Sequence, residues 1–300
     1  MPVHKTGRFV SDEGRAVFDA AYDEGLRALP EPVDVRDLAT TFGQVRTYRF
    51  GKSPGTPLLL LHGRGGTTVM LQPNIAELAE RRTVYALDML GEAGRNNQTA
   101  PLRNAEDQAT WLSEVLAGLG PERFHLAGIS VGGWSGCNLA VRDPERLASL
   151  ALFDPVQTFG RIRFAVVLRT IPTLIPFTAK RAVPSFLKYV DGQGGELPQS
   201  DPVAKVIDAS LRYYRPGVPP PSFFTDEQLR GLSLPTLAVI AGRTVMHDPN
   251  RAVGRARRLV PNIEAELWPE ATHAISGQCA RKVNSRLLTF MDTVDAMTGR

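Results

Sequence analysis

Six short, mostly apolar runs restrict the fold of this chain more than any other feature. They fall at 57–61, 83–87, 124–128, 147–153, 236–241 and 265–268, and Leu58-Leu59-Leu60-Leu61 is the plainest. A run with no polar alternate suits a strand covered on both faces, as strands are in a parallel sheet. Helical spacing follows at 70–80, 105–118, 132–141 and 250–259, with a last helical pattern at 279–297. Strands alternating with helices require crossover units, so the fold class is α/β with one doubly wound, mostly parallel sheet. Ahead of it, Val17, Phe18, Ala21, Tyr22 and Leu26 mark a helix over 11–29. Two alternating stretches, 33–41 and 44–50, predict an antiparallel hairpin turning at Phe42-Gly43.

The alternation breaks once, over residues 155–234, a proline-rich stretch with short helical patterns. This divides the chain into an N-terminal helical segment (1–32), a core (33–154 and 235–300) and an insert (155–234) that reads as a cap over the strand ends. The insert's aromatic residues, among them Phe159, Phe164, Phe177 and Phe224, suggest a mostly apolar pocket. The net charge of +4 is small and arginines occur throughout, so the basic residues read as a solvated surface and no nucleic-acid partner is expected. In the insert, Arg163, Arg169 and Lys180 either hold the cap against lipid headgroups or wet its outer face, and the second is the expectation. The N-terminus has no apolar leader, and the longest apolar tract, 162–177, is interrupted by Arg163, Arg169, Pro172 and Pro176. A span needs about 20 apolar residues, so stable membrane insertion is not expected. Cys137 and Cys279 lie in no metal-type spacing, and a reducing, cytoplasmic compartment is the simpler expectation.

Gly128-Ile129-Ser130-Val131-Gly132 lies between an apolar run and a helical pattern. A serine on a sharp strand-to-helix turn needs small neighbours, because the turn brings positions 128 and 132 together. The turn also places the hydroxyl at a helix N-terminus, where a developing oxyanion is favoured. Ser130 is therefore the candidate nucleophile.

With these residues in order, the chain resembles the α/β-hydrolase family from Val33 to its end. An apolar strand runs into His62-Gly63-Arg64-Gly65-Gly66, and a later strand ends in Asp88-Met89-Leu90-Gly91. The elbow at Ser130, the insert, an acid loop and a late histidine follow. The resemblance implies that His273, just after the last strand, is the base. It implies that the amides of Val131 and Arg64 form an oxyanion hole, with Gly65 the alternative to Arg64. His62 becomes a partner of the oxyanion loop beside the substrate, and Asp88 a structural support. Trp134, just past the elbow, can line the pocket or pack its helix.

The acid is the open point. In the family it often comes three residues after the glycine of the acid loop, which here is Val245. Asp248 is the acid present in that loop, and Asp154, one strand earlier, is the alternative. The resulting expectation is a serine hydrolase, a carboxylesterase acting on a small apolar or neutral acyl ester. It would need no cofactor and no metal. An acyltransferase and a non-catalytic ligand-binding relative are the other readings.

Overall fold

In the computed structural model, which describes residues 5–192 and 201–299, the apolar runs lie side by side in one sheet. Its main strands are β1 (Asp34–Thr40), β2 (Gly43–Phe50), β3 (Leu58–Leu61), β4 (Val84–Leu87), β5 (Phe124–Ile129), β6 (Leu147–Phe153), β7 (Thr236–Ala241) and β8 (Ile263–Trp268). Their order across the sheet is β8-β7-β6-β5-β3-β4-β2-β1, and Asn97–Gln98 pairs with β2. From β3 onward the neighbours run parallel, while β2 is antiparallel to both β1 and β4. The hairpin turns one residue earlier than predicted, at Thr41-Phe42. Strand β8 starts two residues before the apolar run, because Glu264 and Glu266 alternate with apolar residues on this edge strand. Both glutamates pair with Arg286.

The continuous apolar runs have a direct cause in the layers. Leu58 and Leu60 of β3 pack with helices α2 (Gln72–Arg81) and α11 (Ala280–Thr298) on one face. Leu59 and Leu61 pack with α3 (Ala105–Leu119), α4 (Val131–Arg142) and α9 (Pro249–Leu259) on the other. Neither face can take a polar alternate without burying it unpaired.

Between β6 and β7 lie α5 (Phe164–Thr170), a tight turn at Ile171–Leu174, α6 (Pro176–Asp191), α7 (Pro202–Tyr213) and α8 (Asp226–Arg230). Helix α1 (Asp12–Arg27), capped by the Ser11 side chain on the Gly14 amide at 3.0 Å, packs along α7. Arg8–Phe9 pairs with Tyr214–Arg215, so the chain just ahead of α1 is tied to this segment as well. A short helix α10 (Ile275–Gln278) precedes α11. Among the described residues, no helix is long and apolar enough to cross a membrane.

Candidate active site

The turn from β5 into α4 holds Ser130 at φ +55° and ψ −114°, a region that a residue with a side chain occupies at a cost of about 1–3 kcal/mol. Its amide donates to the Phe153 carbonyl at 3.0 Å, and its own carbonyl accepts from the Trp134 amide at 3.1 Å. The glycines are required by space. A Cβ at Gly128 would lie 2.3 Å from the Gly132 carbonyl oxygen, and one at Gly132 would lie 2.5 Å from those of Leu61 and His62.

Asp154 follows β6, also in the left-handed region, at φ +43°. Its amide donates to Val239 at 2.8 Å, and its Oδ1 accepts from the Ala241 amide at 3.1 Å, so β7 fixes both backbone and carboxylate. His273 stands in the loop after β8. That loop is closed by the Gln278 side chain, whose Oε1 accepts from the Thr272 amide (2.8 Å) and hydroxyl (3.0 Å).

These three strand ends bring three side chains into line. His273 Nδ1 is 2.6 Å from Asp154 Oδ2, and His273 Nε2 is 2.9 Å from Ser130 Oγ. Asp154 is fully buried, and Ser130 and His273 are each 7% exposed. Burial works to raise the Asp154 carboxyl. The His247 and His273 imidazoles outweigh it and hold the group well below the usual carboxylate range. An ionised carboxylate only accepts hydrogen bonds, so Nδ1 of His273 carries the proton and donates to it. Nε2 is left to accept from the serine hydroxyl.

Asp248 does not join this line. It is half-exposed and serves as the N-cap of α9, its Oδ1 accepting from the Arg251 amide at 3.0 Å. The correction has a local cause, because the side chain of an N-cap aspartate before Pro249 is committed to its own helix. Trp134 and His62 are not free to touch a ligand either, since both are buried away from solvent. Trp134 Nε1 donates to the Ser222 carbonyl at 2.7 Å, and its ring stacks near Phe224. His62 Nδ1 donates to the Gly63 carbonyl at 2.6 Å while Nε2 accepts from the Met89 amide at 3.0 Å. Burial lowers the pKa of its ring, which suits this neutral tautomer. His62 thus pins the loop after β3 to the loop after β4.

Asp88 fastens the same region. It accepts from the Tyr22 hydroxyl (2.7 Å) and from the amides of Thr68 (2.9 Å) and Arg95 (2.8 Å). Val131 is the first residue of α4. Arg64 lies in the loop after β3, with its guanidinium 2.8 Å from the buried Glu92. That pairing occupies the Arg64 side chain. Gly63 brings the loop beside the elbow, since a Cβ there would sit 3.5 Å from that of Ser130. A Cβ at Gly65 would sit 3.3 Å from Ser210 of α7. Phe159 and Phe224 of the insert are buried, whereas Phe164 and Phe177 are exposed and line no enclosed pocket.

One residue of the site was missed in the sequence. His247 is buried, with Nε2 3.4 Å from Asp154 Oδ1, so the carboxylate stands between two imidazoles. Gly160 packs directly on its ring: a Cβ there would fall 2.8 Å from His247 Cβ. Its place after β7, one strand from Asp154, was the available signal.

The fold and the aligned strand ends define an α/β hydrolase, and the chain belongs to that family. The family model for the alpha/beta hydrolase fold matches residues 56–201. Over 296 residues the chain is 30% identical to the "Uncharacterized carboxylesterase nap" of Bacillus subtilis (strain 168), covering 94% of both proteins. It is also 30% identical over 291 residues to carboxylesterase YbfK of the same organism, covering 95% of this chain and 96% of that one. The crystal structure of naproxen esterase from Bacillus subtilis superimposes with a TM-score of 0.86 at 29% identity, covering 95% of this chain and 100% of the other.

Proposed function

We infer that this protein is a carboxylesterase whose nucleophile, base and acid are Ser130, His273 and Asp154. The 2.9 Å and 2.6 Å contacts that place the His273 ring between hydroxyl and carboxylate carry the reading. Ser130 Oγ attacks the acyl carbon while His273 Nε2 takes its proton. Asp154 holds the ring in its tautomer and stabilises the imidazolium. The amides of Val131 and Arg64 receive the oxyanion. His273 then returns the proton to the leaving alcohol, and water enters by the same base to release the acid from the acyl-enzyme. Residues 155–234 act as the cap: Ser210 of α7 lies against Gly65, and the end of α6 at Gly192 lies against Thr272 beside the base. The chemistry draws only on side chains and amides of this chain.

The test uses a fluorophosphonate probe and p-nitrophenyl butyrate. The expected result is a single label on the Ser130 peptide and steady turnover in water. Absence of both would move the protein to the non-catalytic, ligand-binding reading. Labelling with turnover only when an alcohol acceptor is added would move it to acyl transfer.

A smaller effect is expected at His247. Replacing it by leucine removes a polar neighbour of a buried carboxylate and should lower kcat by about tenfold, on the scale of one hydrogen bond to a charged group. His247→Gln should restore most of the loss. Steady-state kinetics check both, and a wild-type kcat in His247→Leu would show that Asp154 is held without it.

A further inference from the structure

Among the described residues, seven of the twelve exposed large apolar side chains are gathered in one place. Phe164, Val167, Leu168, Ile171, Leu174, Ile175 and Phe177 are all exposed, Phe164 by 73% and Phe177 by 97%. They fall within fourteen consecutive residues, from the start of α5 through the tight turn to the start of α6. The chain doubles back here, with the Thr178 hydroxyl donating to the Pro172 carbonyl at 2.6 Å, so the side chains share one knob. Scattered single apolar residues on a surface need no explanation, but a contiguous group does.

The charge is gathered beside it. Residues 155–190 contain Arg161, Arg163, Arg169, Lys180, Arg181 and Lys188 and no aspartate or glutamate. Removing these six cations leaves the rest of the chain at −2, so this one segment accounts for the basic excess. Where the knob begins, a cleft of about 820 Å³ opens between the insert and α9. Arg161, Arg163, Arg251, Arg255 and Arg258 line it, with Asp248 the acidic residue among them. Positions 251, 255 and 258 share one face of α9. Arg161 and Arg255 both lie over the Phe223 ring, at 4.3 and 4.4 Å, which sets their heads at fixed places in the wall. The Arg163 amide donates to the Met246 carbonyl at 2.8 Å, so the knob is anchored to the cleft at the residue before Phe164.

We propose that this face docks the protein on an anionic lipid surface. Phe164, Phe177 and their neighbours enter the acyl boundary, and the arginine cleft receives phosphate headgroups. Aromatic and aliphatic residues flanked by an excess of cations are the composition of an interfacial segment; Arg251 and Arg255 are paired with Asp248 and Asp226, and Arg161, Arg163 and Arg258 carry the excess. An apolar protein partner would not call for an excess of cations, and a soluble anion would not call for the exposed phenylalanines. The attachment is peripheral and independent of the catalytic reading.

Flotation with extruded vesicles tests it. Wild type should float with a phosphatidylcholine–phosphatidylglycerol mixture and not with phosphatidylcholine alone, and added salt should weaken binding. Phe164→Ser with Phe177→Ser should reduce partitioning by about tenfold or more, since each removes an exposed aromatic ring that the lipid would bury. Arg161→Gln, Arg163→Gln and Arg258→Gln together should abolish the preference for the anionic lipid. Both variants should keep wild-type turnover of soluble p-nitrophenyl butyrate, and a thermal melt checks folding if the wild type has no turnover. Failure of the wild type to float with the anionic mixture, or flotation of either variant like wild type, overturns the proposal. So does a wild-type dimer in sedimentation velocity that Phe177→Ser turns into a monomer, which would assign the face to a second copy. Saturable binding of glycerol phosphate without vesicle binding would reassign the cleft to a soluble anion.

Discussion

Ser130→Ala is expected to lower kcat for p-nitrophenyl butyrate by about 10⁶-fold, the scale on which removing a triad serine acts, and to abolish fluorophosphonate labelling. The magnitude follows from loss of the bond-forming atom, since no hydroxyl is left for His273 Nε2 to deprotonate. Folding should survive, because the elbow's hydrogen bonds to Phe153 and Trp134 are made by the backbone of residue 130. The strain at φ +55° survives as well, because alanine keeps the Cβ. Ser130→Gly removes that strain and should be equally inactive but more stable, by about 1 kcal/mol. A thermal melt of the two variants beside the kinetics separates the cost of the conformation from the chemistry it serves. Turnover within tenfold of wild type in either variant would remove Ser130 from the mechanism.

What the sequence disclosed follows the range of the interactions involved. The strands were legible because burial on both faces leaves a local mark, as in Leu58–Leu61. The elbow was legible because Gly128 and Gly132 are demanded by a turn five residues long. Strand β8 was read short, since Glu264 faces water at the sheet edge and cuts Ile263 off from the apolar run. The choice of acid depends on which strand ends meet at His273, and no local pattern encodes that. One local signal was available: Asp248-Pro249 ahead of a helical pattern is an N-cap with proline at the first helical position. Read that way, Asp248 is spoken for and Asp154 remains. The arginine cleft shows the same limit. The spacing of Arg251, Arg255 and Arg258 is visible in the sequence, but their meeting with Arg161 and Arg163 is tertiary.

The sharpest test of the site is therefore the pair of aspartates. Asp154→Asn should lower kcat by about a thousand- to ten-thousand-fold, because an amide no longer fixes the proton on His273 Nδ1 or stabilises the imidazolium. Asp248→Asn should leave kcat within about twofold and stability nearly unchanged, because asparagine caps a helix as well as aspartate. The pH dependence separates them further. The Asp154 carboxyl is held below its unfolded value. Its contribution to folding is therefore complete above about pH 5, past the unfolded pKa near 3.9, and is lost only as the pH falls through the depressed folded value. Across the neutral range the acid stays ionised. Removing the carboxylate at 154 should flatten the fall in melting temperature below about pH 4, whereas Asp248→Asn leaves most of that fall in place. A large loss in Asp248→Asn with near-normal turnover in Asp154→Asn would mean that the acid reaches His273 only after the loop following β7 rearranges.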